Sequence, residues 1–489
     1  MNFVKQFLLY GLSAAVSRLA AILLVPLYTR TLSIQDYGRL EVLLALHTLL
    51  VLTAGLQSES AVARDYFEAK KAATKHKLRW GAIIITLGGS ILILAICLPL
   101  VLLGAVPKDI GAALPLLMLM MIPTQLLGVQ LVLLRFAGTP IFFATLSFLD
   151  LALSALFSAG LIVGMGLGVN GALTGILLSK SLCMMIAWPY TFGKPRGRPV
   201  SPVLLRRMLK YAVPTLPSVL LNWLQNNGNR ILLALYLTLS DVALTGIAIK
   251  IAALYGFVTY SFRLAWEPYS FEMLGKGEAA AGFYNRAFQW YVLLMLAMAG
   301  AGVLASPILA WLLAPPAYAA AAKLSGYFII GQFWVGAIPI LSIGIHGARI
   351  TSRLTNVYGL GALLNVAILT MMAHWIGTTA AGIGFLASAI GSAALAAYYS
   401  NRHFKTAFSW RLIGFAIVMT TSFAFAAHEL LSIAEREDSL PMAIALYGMI
   451  AAALLAALAL IGRFGFDIYR LGDMWTELSQ LARRKALPR

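Results

Sequence analysis

Apolar stretches of about 20 residues, parted by short polar breaks, follow one another along nearly the whole chain of 489 residues. A helix rises about 1.5 Å per residue, so each stretch matches a hydrocarbon layer about 30 Å thick. The stretches are continuous and lack the alternation of a barrel strand, which predicts helices. Windows of about 19 residues place about fourteen spans. The first seven lie near 7–29, 40–60, 80–103, 112–134, 141–163, 169–190 and 211–237. The rest lie near 242–262, 286–312, 321–345, 355–376, 380–400, 411–431 and 441–462. The pattern therefore predicts an all-α polytopic membrane protein.

The polar breaks carry a sign. With the N-terminus placed in the cytoplasm, segments on that side hold 28 of the 37 Lys and Arg residues, and segments on the other side hold five, Arg30, Arg39, Lys108, Lys323 and Arg436. Basic loops stay on the cytoplasmic side, so the split predicts both termini there, in a bacterial inner membrane. Four cations remain inside spans: Arg18, Lys180, Arg230 and Lys250.

Composition agrees with lipid as the main solvent, since 61% of residues are hydrophobic and 11% charged, against about 25% charged in soluble domains. The net charge of +19 sits in loops where orientation explains it, so no nucleic-acid partner is expected. Cys97 and Cys183 lie in apolar runs and read as small core residues. No metal spacing and no phosphate-binding glycine loop occurs, so no cofactor is expected. The first apolar run has no cleavage site after it and reads as a retained span. After residue 462, Ile468, Leu471, Trp475, Leu478 and Leu481 recur at helical spacing among arginines. This predicts a basic amphipathic helix, either on the inner leaflet or against a partner.

A weak internal repeat sets the expected domains. Tyr10 and Tyr211 precede spans that bear Arg30 and Arg230 near their outer ends, followed by Leu32-Ser33 and Leu239-Ser240. A six-span duplication gives an N-terminal lobe over 1–195, a C-terminal lobe over 196–405, two extra helices over 406–462 and the tail over 463–489. Repeats of this sort build two lobes around a central path in many transporters.

Function is sought where lipid should refuse the residue. An intramembrane charge costs at least ~2.5 to 3.5 kcal/mol and must face protein or water. Arg18 and Lys180 lie near mid-span, and Arg230 and Lys250 in outer halves. The clear mid-span acid is Asp150, either an ion-coupling group or a structural partner of Lys180. Glu59 and His47 are the poorer coupling candidates, and Glu59 can instead pair with Arg64. Span 7 holds Thr215, Ser218, Asn222, Gln225, Asn226 and Asn229 at spacings of three or four, one polar face with Arg230 adjoining. Six such residues predict a hydrated cavity, where helix-to-helix bonding needs one or two. Pro26, Pro214 and Pro217 can hinge their helices. His346 and His374 are lone histidines, read as packing residues. Cations with a wall of amides select an anionic, hydroxyl-rich substrate, such as a phosphate-linked sugar.

The opening Tyr10-Gly11-Leu12-Ser13, Ser17-Arg18, Val25-Pro26-Leu27-Tyr28-Thr29-Arg30 and Asp36-Tyr37-Gly38-Arg39 resembles Wzx-type polysaccharide flippases. These belong to the multidrug/oligosaccharidyl-lipid/polysaccharide exporter superfamily. Ala265-Trp266-Glu267-Pro268 and Tyr318 match as well. The resemblance implies a V-shaped fold of two six-helix lobes that moves undecaprenyl-diphosphate-linked oligosaccharide outward by alternating access, with a proton or sodium counter-ion. It also implies membrane lipids and a polysaccharide polymerase or assembly proteins as partners. Lipid II flippases share the Ser-Arg pair but usually carry a second arginine, where this chain has Ala20 to Val25. A lipid II flippase and a multidrug exporter are therefore the alternatives. No large loop of a membrane polymerase or ligase is present, so an enzyme is not expected. The expected substrate site comprises Arg18, Arg230, Lys250, Lys180, Asn222, Gln225, Asn226 and Asn229.

Overall fold

The computed structural model describes residues 22–69, 71–103, 111–193, 200–274, 281–348, 350, 352–404, 408–436 and 445–456. Helix dominates these residues, and no strand occurs among them. Eleven helices are long and apolar enough to cross a membrane. Each coincides with one of the expected spans 2 to 6 and 8 to 13. The first and last expected spans are described only in part, as α1 (Val25–Thr31) and the helix Ala445–Ala456. The amphipathic tail lies outside the described residues. Expected span 7 is present as a helix of 21 residues, Leu216–Tyr236, and its amides keep it out of the apolar eleven. The chain is a multi-pass helical membrane protein.

In chain order, α2 is Ile34–Gly55, α3 Ser58–Glu68, α4 Ala72–Leu102, α5 Leu114–Phe136, α6 Pro140–Ala159 and α7 Gly168–Thr191. A short α8 (Pro202–Ala212) leads to α9 (Leu216–Tyr236), α10 (Leu239–Leu274), α11 (Ala281–Leu313) and α12 (Ala321–Leu341). Then come α13 (Ile343–Gly347), α14 (Arg353–Ile376), α15 (Thr379–Phe404) and α16 (Trp410–Arg436). Helix α2 packs on α4, α5 and α7, and α6 on α7, forming a first bundle. Helices α9, α14 and α15 pack together, and α12 packs on α10, α11 and α15, forming a second. Tyr327, Phe328, Phe333 and Trp334 fill the core around α12 and are almost wholly enclosed. The bundles meet where α2 lies against α9 and α10 and where α1 meets α11.

The ends of two long helices share one device. Ser33 accepts a hydrogen bond from the Asp36 N–H at 3.1 Å and donates to its carboxylate at 2.7 Å, starting α2. Thr238 accepts from the Asp241 N–H at 3.2 Å, and its own N–H donates to the Asp241 carboxylate at 3.1 Å, starting α10. Reciprocal boxes of this kind satisfy donors that a helix start leaves free. They pair Ser33 with Thr238, a register that sets Arg30 level with Leu235. The sequence match of Arg30 to Arg230 is thus out of step with the helix starts, and Arg30 is exposed where Arg230 is buried. At its other end α2 stops at two consecutive left-handed residues, Leu56 (φ 44°) and Gln57 (φ 58°), which turn the chain into α3. Side chains with a Cβ pay roughly 1–2 kcal/mol each for that conformation.

Candidate functional site

A cluster of buried charge lies where the two bundles touch. Glu41 stands seven residues into α2, about 10 Å along it, and is 3% exposed. One turn before it, Tyr37 donates its hydroxyl to the Glu41 carboxylate at 2.9 Å. From α9, Arg230 donates its Nε–H to the other carboxylate oxygen at 2.7 Å, and its Nη1 to Asn227 at 3.0 Å. From α10, Lys250 Nζ lies 3.4 Å from Glu41. One carboxylate thus faces two cations, and it comes from one bundle while they come from the other. Gly246 makes room for it: a Cβ there would sit 3.1 Å from Glu41 Cγ. A Cβ at Gly38 would strike the Leu239 carbonyl, so the α2–α10 crossing needs glycine at that position. The same end is sewn further by Thr29, which donates to the Leu313 carbonyl at 2.8 Å, and by Tyr37 edge-on to Tyr318 at 5.9 Å.

Arg230 and Lys250, both expected at the site, are therefore brought together. Their acid is not apparent from the sequence, because Glu41 follows Arg39 at the very head of a span and reads as an end-of-span residue near the interface. The glutamate at helical spacing from Tyr37 was the available signal. Asp150 is thus not the only acid held deep among the helices. Arg18 lies outside the described residues.

Asp150 and Lys180 form a separate pair inside the first bundle. Lys180 donates to the Asp150 carboxylate at 2.5 Å, and Ser179 donates to it at 2.9 Å. His47 is buried in α2 and bonds the backbone of Met120, leaving its Nε2 without a partner. Glu59 sits in the first turn of α3 with its carboxylate against Gly128 of α5. Glu59 therefore stands apart from the Asp150–Lys180 pair, whereas His47 lies within electrostatic reach of Lys180.

The amide face of α9 divides. Gln225 turns into the second bundle and donates to Ser388 and Ser392, each at 3.2 Å, while Asn365 donates to the Gln225 carbonyl at 3.1 Å. Asn229 is enclosed beside them, with neither side-chain amide atom bonded. Gln225 joins helices, in the manner of polar glue between spans. Asn222 and Asn226 instead line a cavity of about 280 Å³ with Thr259, Tyr260, Arg263, Gln332 and Tyr358. Arg263 lies over the Tyr260 ring at 4.9 Å. Amides, hydroxyls and a guanidinium converge there, a lining suited to a polyhydroxylated, partly anionic guest. The five partners of Asn222 and Asn226 were not singled out in the sequence, since they are spread over three helices.

Two helical bundles closed on each other by buried charge define a multi-pass membrane protein of transporter architecture. Solved structures bear this out at the level of fold. The lipid II flippase MurJ in an inward closed conformation matches with a TM-score of 0.66 at 13% identity, covering 93% of this chain and 98% of that one. An inward-facing multidrug resistance MATE family transporter of the MOP superfamily matches at 0.59 and 16% identity, covering 82% and 94%. A MOP superfamily transporter from Pyrococcus furiosus matches at 0.54 and 16% identity, covering 82% and 96%. No curated protein matches the chain. The model of the polysaccharide biosynthesis protein family matches residues 3–274. That is more than half of the chain, and the chain belongs to this family.

Proposed function

We propose that the chain is a flippase that carries undecaprenyl-diphosphate-linked oligosaccharide from the cytoplasmic to the periplasmic leaflet. The cargo is the repeat unit of an O-antigen, a capsule or an exopolysaccharide. The observation that carries this reading is the Tyr37–Glu41–Arg230–Lys250 cluster, whose charges join the two bundles at one end through groups an anion can compete for. A diphosphate reaching Arg230 and Lys250 offers them an alternative partner to Glu41, so substrate and seal exclude each other. Such competition couples occupancy to opening, because a ligand shifts a conformational equilibrium only by its differential affinity for the two states. The amide- and hydroxyl-lined cavity below the seal takes the sugars.

Orientation follows from the 28-to-5 split of loop cations, which puts the seal on the periplasmic side. Arg18, on the first span, completes the cationic path, and Lys180 supports it. Asp150, with Glu59 or His47 as poorer candidates, binds the coupling proton or sodium ion, and Lys180 reports its charge. The reading makes the chain a transporter rather than an enzyme.

The test is rescue of surface polysaccharide in a flippase-null strain with membrane expression quantified. Full rescue by an Arg18→Ala, Arg230→Ala double variant would remove the cationic path from the mechanism. A lipid II flippase is the second reading, favoured by the likeness to MurJ over 93% of this chain. Rescue of a lipid II flippase depletion strain decides for it.

A further inference from the structure

At the end of the molecule opposite the buried seal, an open cavity of about 530 Å³ is lined by Arg64, Asp65, Arg207, Lys210, Tyr211, Pro214 and Thr215. We infer that this cavity is a docking site for the phosphate ester of a membrane lipid. The inference rests on the flippase reading only for the identity of its natural ligand.

The construction begins with α8. Ser201 caps it, accepting from the Leu204 N–H at 3.3 Å. Its buried face, with Met208 and Ala212, packs on α3 and α4, where Met208 Sδ would lie 3.0 Å from a Cβ at Gly81. That packing fixes the opposite face, which carries Arg207, Lys210 and Tyr211. Asp65, almost wholly buried, holds Arg207 at 3.0 Å and so fixes one wall. Arg64 lies over the Tyr211 ring, 4.4 Å from its centroid, which orients a guanidinium without neutralising it. Among the described lining residues three cations stand with one carboxylate, so the concave site is predominantly positive. Guanidinium groups suit phosphate because their planar fork donates paired bonds.

The neighbours say what bears the phosphate. Val203 is 78% exposed and Val213 42%, flanking Arg207 and Lys210 along the chain. Apolar side chains beside cations, at the junction of a surface helix and a membrane span, fit an amphiphile with an anionic head. An acidic protein segment would not require them. The lining also spans both bundles: Arg64 and Asp65 belong to α3, while Pro214 and Thr215 lie in the 3₁₀ turn that leads into α9. A head group held here touches the element joining the two halves.

Two lipids share this chemistry, a polyprenyl diphosphate and an anionic phospholipid. Full-length protein in nanodiscs of neutral lipid should be titrated separately with undecaprenyl diphosphate and with phosphatidylglycerol. The Arg64→Gln, Lys210→Gln double variant should bind at least one of them about 100-fold more weakly, with unchanged melting. Arg64→Lys should retain part of the affinity. Loss for the diphosphate alone assigns the site to cargo, and loss for phosphatidylglycerol alone assigns it to a bilayer lipid. Wild-type affinity for both lipids in the folded double variant, or loss of binding only to an acidic peptide, overturns the inference. Reconstituted transport separates the two readings: a wild-type protein that binds either lipid through these cations yet moves no glycan keeps the site and loses the flippase.

Discussion

Replacing Glu41 by Gln should part the two bundles at their sealed end. The carboxylate takes hydrogen bonds from Tyr37 at 2.9 Å and Arg230 at 2.7 Å, with Lys250 at 3.4 Å. Its loss leaves buried Arg230 and half-buried Lys250 facing each other without that counter-charge. Deleting one partner of a buried ion pair costs about 3–5 kcal/mol. When the bundles part, water reaches all of these groups, so the penalty falls on the sealed state. At about 1.4 kcal/mol per decade, the lower figure shifts the ratio of sealed to parted protein about 100-fold. The assay needs a thiol that only parting exposes. Ala243 on α10 is fully buried, with its backbone N 3.3 Å from where a Gly38 Cβ would sit. In a background of Cys97→Ala and Cys183→Ala, Ala243→Cys should react with a membrane-impermeant maleimide about 100-fold faster once Glu41→Gln is added. Replacing the whole cluster by apolar residues (Glu41→Leu, Arg230→Met, Lys250→Met) should restore slow labelling, because a buried pair exchanged for packed hydrophobes is often neutral. Unchanged labelling of a folded Glu41→Gln protein would show that the charges do not hold the seam.

Gly38→Val should block closure outright, since its Cβ meets the Leu239 carbonyl; fast labelling at Ala243→Cys with normal membrane insertion is the expected result. Gln57→Gly should stabilise the protein by roughly 1 kcal/mol, because the chain there is left-handed at φ 58°; a lower melting temperature would contradict this. Asp150→Asn should abolish ion-driven transport in proteoliposomes if that carboxylate holds the coupling ion, and wild-type coupling would remove it from the role. Reporter fusions after Thr74 and His403 should be cytoplasmic and those after Pro315 and Thr378 periplasmic; a cytoplasmic Thr378 fusion would break the topology.

Helix positions were legible because hydropathy is a local property. Every described span sits where a run of apolar residues placed it, and even α9, too polar for the apolar count, was marked by its Pro and amide pattern. What the sequence could not tell was which helix each polar group would meet. Gln225 finds Ser388 and Ser392, more than 160 positions away, and Arg230 finds Glu41, 189 positions away. Nothing near either residue encodes those meetings; they follow from how the bundles stack. The Asp150–Lys180 contact was among the readings open to the sequence because their helices are neighbours in the chain as well as in space.

The seam contacts described above, from Leu239 to Lys250, fall in the first dozen residues of α10, although the helix has 36. Beyond Lys250 about 24 residues remain, an arm of roughly 36 Å. A helix so long, gripped at one end, is a lever with its pivot near the tip. A rotation of about 15° at the grip, small enough for a few side chains to exchange partners, carries the far end through about 9 Å. Modest chemistry at one carboxylate is thereby geared into a gap wide enough for a sugar at the opposite face.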